Sequence, residues 1–307
     1  MSSDSPLRPG DACRTLSVGG LERRYWIHVP PQYDGATAMP VVLAFHGGAS
    51  NGEQMARFCG LSETADAAGF LCVYPNGSGR LPRVLTWNGG NCCGYARQQQ
   101  IDDVAFVRGL LSDLATVAAI DRRRVFATGM SNGAIFSYRL ASELSDQIAA
   151  IAPVAGSMGT ATCAPIRPVP VIHFHGSDDD FCPIGGGRGR KSVSGTEHFS
   201  VEHAIQAWIK ADGCPTEPDI WRLESDVRWP DGGVEAVVRK TYGPGRDCAE
   251  VVLYIVEGGG HTWPGRHPRL FFLGRSTHLI SANDRMWDFF SRHPMEEMTN
   301  EARMSKE

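Results

Sequence analysis

The sequence predicts an α/β fold: a mostly parallel central sheet with helices on both faces. Three observations carry this. Short runs such as 41–45, 70–74, 149–154 and 169–174 are apolar almost throughout, and helical stretches separate them. Strands apolar on both sides must be covered on both faces, which is the condition of a parallel sheet between helix layers. The third observation is a strand, a tight turn and a helix in succession: Arg124-Val125-Phe126-Ala127-Thr128, then Gly129-Met130-Ser131-Asn132-Gly133, then a helical run from Ala134 to Leu140.

In chain order, residues 25–29 read as an early strand, closed by Pro30-Pro31. Residues 41–45 form the next, followed at once by His46-Gly47-Gly48. A helix is expected over 61–68 and a strand over 70–74. The clearest helix spans 101–119, where Val104, Val107, Leu111, Leu114 and Ala118 recur at steps of three and four. Residues 125–128 are the strand before the turn, and 149–154 and 169–174 are further buried strands. A helix over 199–210 has Ser200 as N-cap and Gly213 as stop. After a last strand over 251–256, a closing helix over 281–290 is capped by Ser281 and turns Met286, Trp287, Phe289 and Phe290 inward. No internal repeat is present, so a single catalytic domain is expected over 15–293, with an amino-terminal extension at 1–14 and a charged tail at 294–307. Long loops at 75–100, 178–197 and 258–279 all follow predicted strands. In an open parallel sheet ligands bind at the carboxyl ends of strands, and loops of this length are usually functional.

The bulk numbers are those of an ordinary globular chain: 307 residues, 42% hydrophobic, 21% charged. A net charge of −4 gives no electrostatic footprint for nucleic acid. The basic clusters Arg122-Arg123-Arg124 and Arg188-Gly189-Arg190-Lys191 read as solvated faces. No run approaches the roughly 18 apolar residues of a membrane span. The amino end, Met1-Ser2-Ser3-Asp4-Ser5-Pro6, has neither a basic n-region nor an apolar h-region, so the sequence predicts no signal peptide. A cytosolic protein, or the mature form of an exported one, fits that end. The nine cysteines show no paired C-x-x-C units, which argues against structural zinc. Cys72 reads as a small buried hydrophobe, whereas the others lie mostly near loops and element ends, a placement that suits disulfides.

The pentapeptide around Ser131 is a G-x-S-x-G in its working context, the nucleophile elbow that lifts a serine oxygen above the sheet. Its glycines let strand and helix approach where a Cβ would collide. A serine hydroxyl is a poor nucleophile at neutral pH and needs a base, and the base needs an acid to fix its tautomer. His261 follows the last strand on a glycine run, Gly258-Gly259-Gly260. Three adjacent aspartates, Asp178, Asp179 and Asp180, follow the strand over 169–174; one can serve as the acid while the others make a turn. The order Ser, Asp, His is that of α/β-hydrolases. For the oxyanion, the N–H of Asn132 is one donor and the loop after residues 41–45 supplies the other, with Gly48 favoured over Gly47 or Ala49. His46 reads as a brace for that loop.

The motifs His46-Gly47-Gly48, Val73-Tyr74-Pro75-Asn76-Gly77, Trp87-Asn88 with Cys92-Cys93-Gly94, Ile101-Asp102-Asp103-Val104, the elbow, His175-Gly176 to Pro183, and Gly258 to Pro264 run through nearly the whole chain. Together they resemble the polyhydroxybutyrate depolymerase and feruloyl esterase-like family of α/β-hydrolases, carbohydrate esterases of the family-one type. Matched to the family pattern H-G-x-x-D-x-x-V-P, the resemblance puts the acid at Asp179, with Cys182 where valine is usual. It implies a Cys214–Cys248 disulfide, which would close a loop of about 34 residues and add roughly 2–4 kcal/mol. It also implies export. Trp87 and Trp263 are candidate walls of an acyl or aryl pocket, with packing beneath the site as the competing reading for both. Cys92-Cys93 reads as one half of a disulfide to another loop cysteine, or as a reactive thiol site.

These readings converge on a cofactor-free serine esterase with no metal and a Ser131–His261–Asp179 triad. Its substrate is expected to be a small or oligomeric carboxylic ester, a hydroxyalkanoate or a feruloyl or acetyl ester of plant polysaccharide. No adsorption module or threonine-rich linker follows His293, which favours soluble oligomers. The rivals are a serine peptidase, which would normally carry an appended domain, and a binding protein on a hydrolase scaffold, which would normally lose a triad member.

Overall fold

The computed structural model describes residues 5–192, 194–229, 233–268 and 270–296. The expected tail at 294–307 therefore lies largely outside the described residues. In chain order the strands and helices are β1 (Gly10–Val18), β2 (Leu21–Val29), β3 (Met39–Phe45), α1 (Gly52–Cys59), α2 (Leu61–Ala68), β4 (Leu71–Pro75), β5 (Ser78–Leu81), β6 (Val84–Thr86), α3 (Gly94–Gln98), α4 (Asp103–Val117), β7 (Ile120–Met130), α5 (Asn132–Glu143), β8 (Ala150–Val154), β9 (Val171–Gly176), α6 (Val201–Asp212), β10 (Asp219–Arg228), β11 (Val234–Tyr242), β12 (Val251–Glu257) and α7 (Ala282–Arg292).

Ten strands form one sheet in the order β1-β2-β4-β3-β7-β8-β9-β12-β11-β10, and β5 pairs with β6 separately. The six central strands from β4 to β12 are mutually parallel. Each side is finished by antiparallel strands, β1 and β2 at one edge and β11 and β10 at the other. The parallel strands are buried on both faces, and successive residues divide between two cores. Val41, Leu43 and Phe45 join a core with α4, α5 and α6, whereas Val42 and Ala44 join one with α1, α2 and α7. This is the α/β-hydrolase arrangement, with helices on both faces.

The helix stops and starts follow local chemistry. Ser200 accepts the His203 N–H at 3.0 Å, Ser281 accepts the Asp284 N–H at 3.2 Å, and Gly213 ends α6 with a φ of 67°. The flanking strands depart from the sequence reading. β1 begins at Gly10, inside the segment expected to be an extension, and pairs along its whole length with β2. β10 and β11 form a hairpin where no strand was expected. These strands are half exposed and carry charges, so they lack the apolar runs that mark the parallel strands. The long loop over 75–100 also holds structure, namely β5, β6 and α3.

The cysteine expectations are corrected. Cys214 and Cys248 are both free: Cys214 is buried with its Sγ 3.6 Å from the Ala249 carbonyl, while Cys248 is exposed. Cys13, Cys59, Cys72, Cys163 and Cys182 are free as well, and three of them are buried in apolar packing or beneath loops.

Candidate active site

β7 runs into α5 through Ser131, which takes φ 57° and ψ −118°. That is a strained conformation for a residue with a Cβ, of the kind held at functional turns. The neighbouring glycines make it possible. A Cβ on Gly129 would sit 2.5 Å from the Gly133 carbonyl carbon and 2.8 Å from the Phe45 carbonyl oxygen, and one on Gly133 would run into the carbonyls of Phe45 and His46. The loop after β3 folds over the same turn. A Cβ on Gly47 would lie 3.6 Å from Ser131 Cβ, and one on Gly48 would lie 3.8 Å from Asn132 Cβ. Gly48 and Asn132, the candidate oxyanion donors, thus lie close together beside the serine turn.

A buried polar network fixes that loop. His46 accepts the Gly77 N–H on Nε2 at 3.0 Å, so Nδ1 carries the proton, 2.7 Å from the Gly47 carbonyl. Burial pushes the His46 ring down to about 4, so it stays neutral. Trp87 donates its indole N–H to the His46 carbonyl at 3.1 Å and stacks on Phe136 with ring centroids 5.0 Å apart. The Asn132 side chain grips the Trp87 backbone twice, accepting its N–H at 2.7 Å and donating to its carbonyl at 2.9 Å. Asp103 accepts the next N–H, of Asn88, at 2.8 Å and pairs with buried Arg23 at 2.7 Å.

Trp87 and Trp263 therefore do not wall a pocket. Both are essentially inaccessible, at 0% and 1% exposure. Trp263 donates its indole N–H to Asn283 at 2.8 Å and packs edge-on against Phe58. Its ring lies in the core beside α7.

The candidate acid, Asp179, and the candidate base, His261, come from adjacent strand ends. Asp179 Oδ2 lies 2.7 Å from His261 Nδ1, while its Oδ1 accepts the N–H groups of Phe181 and Cys182 at 2.8 and 2.9 Å. Burial raises the Asp179 carboxyl, but His261, His175 and the Cys182 N–H outweigh it and hold the group below the usual carboxylate range. Asp178 is exposed and bonded to Ser177, and Asp180 pairs with Arg190 and Lys191. The two loops are tied together: the Asp178 N–H donates to the Gly259 carbonyl at 2.9 Å, and the Gly258 N–H to Ser177 Oγ at 2.8 Å. A Cβ on Gly176 would strike the carbonyls of Gly259 and Gly260.

The Ser131 hydroxyl interacts with the thiol of Cys182, and among the described residues it makes no hydrogen bond with His261. In apo structures this bond is often long and tightens once substrate binds. Cys182 Sγ also lies 3.8 Å from His198 Nε2. Next to the base, Phe181 packs its ring on His261 with centroids 4.9 Å apart, and Phe272 and Phe271 continue outward, the latter 95% exposed. Sequence reasoning passed over Phe181, His198, Phe271 and Phe272, because single aromatic residues in loops carry no periodic signal. A polar trough of about 1310 Å³ bounded by Arg97, Arg108, Arg139 and Glu143 contains none of Ser131, Asp179 and His261. Among the described residues no cluster of three His, Cys, Asp or Glu side chains is placed to hold a metal ion.

A family model for esterase PHB depolymerase matches residues 24–203, more than half of the chain. The chain belongs to that family. The matched stretch of the esterase includes Ser131 and Asp179 and stops before His261. The esterase is 30% identical over 293 residues to the putative esterase NocK of Nocardia uniformis subsp. tsuyamanensis, covering 90% of this chain and 81% of that one. It is 28% identical over 260 residues to feruloyl esterase B of Piromyces equi, covering 78% of this chain and 42% of that protein. Among solved structures, an acetyl xylan esterase from Aspergillus awamori aligns with 91% of this chain and 99% of that chain, at a TM-score of 0.59 and 13% identity, a likeness of fold. The esterase is a carboxylic ester hydrolase, which sets aside the peptidase and scaffold readings. None of its described helices is long and apolar enough to cross a membrane.

Proposed function

We propose that the esterase works through a Ser131–His261–Asp179 triad and a covalent acyl-enzyme. The 2.7 Å contact between Asp179 and His261, at strand ends beside the elbow serine, carries this reading. His261 Nε2 takes the proton of Ser131 Oγ as that oxygen adds to the ester carbonyl. The oxyanion gathers on the N–H groups of Gly48 and Asn132. Collapse expels the alcohol, which leaves with the proton from His261. Water then repeats the sequence, activated by the same imidazole, and releases the acid. Asp179 keeps its charge throughout, holding the Nδ1–H tautomer and stabilising the imidazolium. Ser131→Ala should abolish turnover of a small activated ester while the far-UV spectrum and melting temperature are kept; undiminished activity in that variant would refute the mechanism.

The aromatic run Phe181–Phe272–Phe271 beside His261 supports an ester with an apolar or aryl portion, either a hydroxyalkanoate oligomer or a feruloyl-type ester, over a bare acetyl ester. The related feruloyl esterase B favours the aryl choice. Comparing methyl ferulate, a hydroxybutyrate oligomer, acetylated xylan and a long-chain ester at equal enzyme tests this. A preference for acetylated xylan would count against it.

A further inference from the structure

Behind the Asp179–His261 pair lies a second set of ring groups that the triad mechanism does not use. Tyr138 on α5 places its hydroxyl 2.8 Å from His173 Nδ1. His173 Nε2 lies 3.0 Å from His175 Nδ1, and His175 Nε2 lies 2.7 Å from the Cys182 carbonyl and 3.6 Å from Asp179 Oδ2. His173 and His175 are two apart on β9, so they share a face, and their rings are nearly coplanar in tilt at 9°. All three side chains are buried.

The direction of every bond in this chain is determined by its end. A carbonyl only accepts, so His175 must carry its proton on Nε2. Burial drives both histidines toward the neutral form. A neutral His175 then accepts on Nδ1, so His173 must donate from Nε2. His173 in turn accepts on Nδ1, and Tyr138 donates. Burial also pushes the Tyr138 hydroxyl well up, so it keeps the proton it gives.

The far end of the chain is the catalytic loop itself. Cys182 is held on both sides: its carbonyl by His175, and its N–H by Asp179. We propose that His175, oriented by His173 and Tyr138, is a positioning residue that anchors the 179–182 loop and so aims the Asp179 carboxylate at His261. This rests on the triad reading. The charged and titratable groups around His175 are His173 on its own strand, Asp179 and Cys182 on the loop, and His261 and His198 across the site.

Steady-state kinetics of His175→Leu and His175→Gln on a small soluble ester test it, with active sites counted by an irreversible serine-directed phosphonate. Misaiming a catalytic group by about 1 Å costs on the order of 10²-fold. His175→Leu should therefore lower kcat per titrated site by about that factor with KM little changed. His175→Gln, which can still donate to the Cys182 carbonyl, should recover most of the loss. If His175→Leu lowers only the melting temperature and the fraction of titrated sites, with kcat per site kept, the proposal is wrong. If the Leu variant does not fold, nitrogen-15 spectra of the wild-type imidazoles decide. Nε2–H tautomers on both His173 and His175 from pH 5 to 8 are expected, and an Nδ1–H tautomer or a titrating ring at His175 would overturn it. Ser131→Ala run alongside keeps the two outcomes apart: if that variant is inactive, a negative result at His175 leaves the triad standing, whereas an active Ser131→Ala removes both readings.

Discussion

Asp179 differs from its neighbours in what its oxygens meet. It alone reaches His261, and it alone is buried, whereas Asp178 faces solvent and Asp180 is occupied by Arg190 and Lys191. Asp179→Asn would keep the shape but offer an amide where the imidazole needs an acceptor, favouring the wrong tautomer. Loss of a triad carboxylate in this way costs about 10⁴-fold in kcat. Asp178→Asn and Asp180→Asn should each stay within a few-fold of the wild type in the same assay. A large loss in Asp178→Asn with a mild one in Asp179→Asn would move the acid by one position. Cys182 shows how a single side chain escapes pattern reading. In sequence it is a departure from the usual valine, and only the fold reveals that its thiol adjoins Ser131 and its backbone grips Asp179.

The elements that matter most are those joined without slack. β7 and α5 meet at one strained residue, and Gly133 lies where the helix passes the end of β3. Gly133→Ala should force a Cβ into the Phe45 and His46 carbonyls, costing about 1–3 kcal/mol in denaturant unfolding. Because the same carbonyls lead into the loop proposed to bind the oxyanion, activity should fall with stability; a variant as active and as stable as the wild type would show that the strand and helix can part freely. This junction was legible in the sequence because its chemistry is local: two glycines, a serine, an apolar strand before and a helix after. The parallel strands and α4 were legible for the same kind of reason, through unbroken or periodic apolar residues. β1, β10 and β11 were not, since edge strands alternate apolar with charged residues and their pairing is non-local. Trp87 and Trp263 were misplaced because a side chain's direction depends on the loop's backbone, which sequence position near His261 does not fix.

At the scale of the whole molecule, one buried carboxyl ties stability to pH. Asp212 at the end of α6 accepts the Val169 N–H at 2.9 Å with Oδ1, while its Oδ2 is buried with no hydrogen-bond partner among the described residues. Burial pushes this carboxyl up to about 7, against an ordinary value of 3.8. Because the folded value is the higher one, the contribution to stability is complete below about pH 4 and is lost as pH rises through 7. Asp212→Asn keeps an acceptor for Val169 and removes the buried charge. It should be more stable than the wild type at pH 8, by on the order of a few kcal/mol of unfolding free energy with a correspondingly higher melting temperature, and the gap should close toward pH 4. A lower melting temperature at pH 8 would mean the charge is better accommodated than its surroundings imply. The bare crossing at Gly176, where the acid loop meets the backbone of Gly259 and Gly260, has a consequence for how such a catalyst can change. There is no side chain at that point to trim or enlarge, so the two loops cross there backbone to backbone. Phe271 and Phe272 lie farther out on the second loop, so exchanging these aromatic groups for polar ones should leave that crossing undisturbed. Diversification of the accepted ester is thereby uncoupled from preservation of the chemistry.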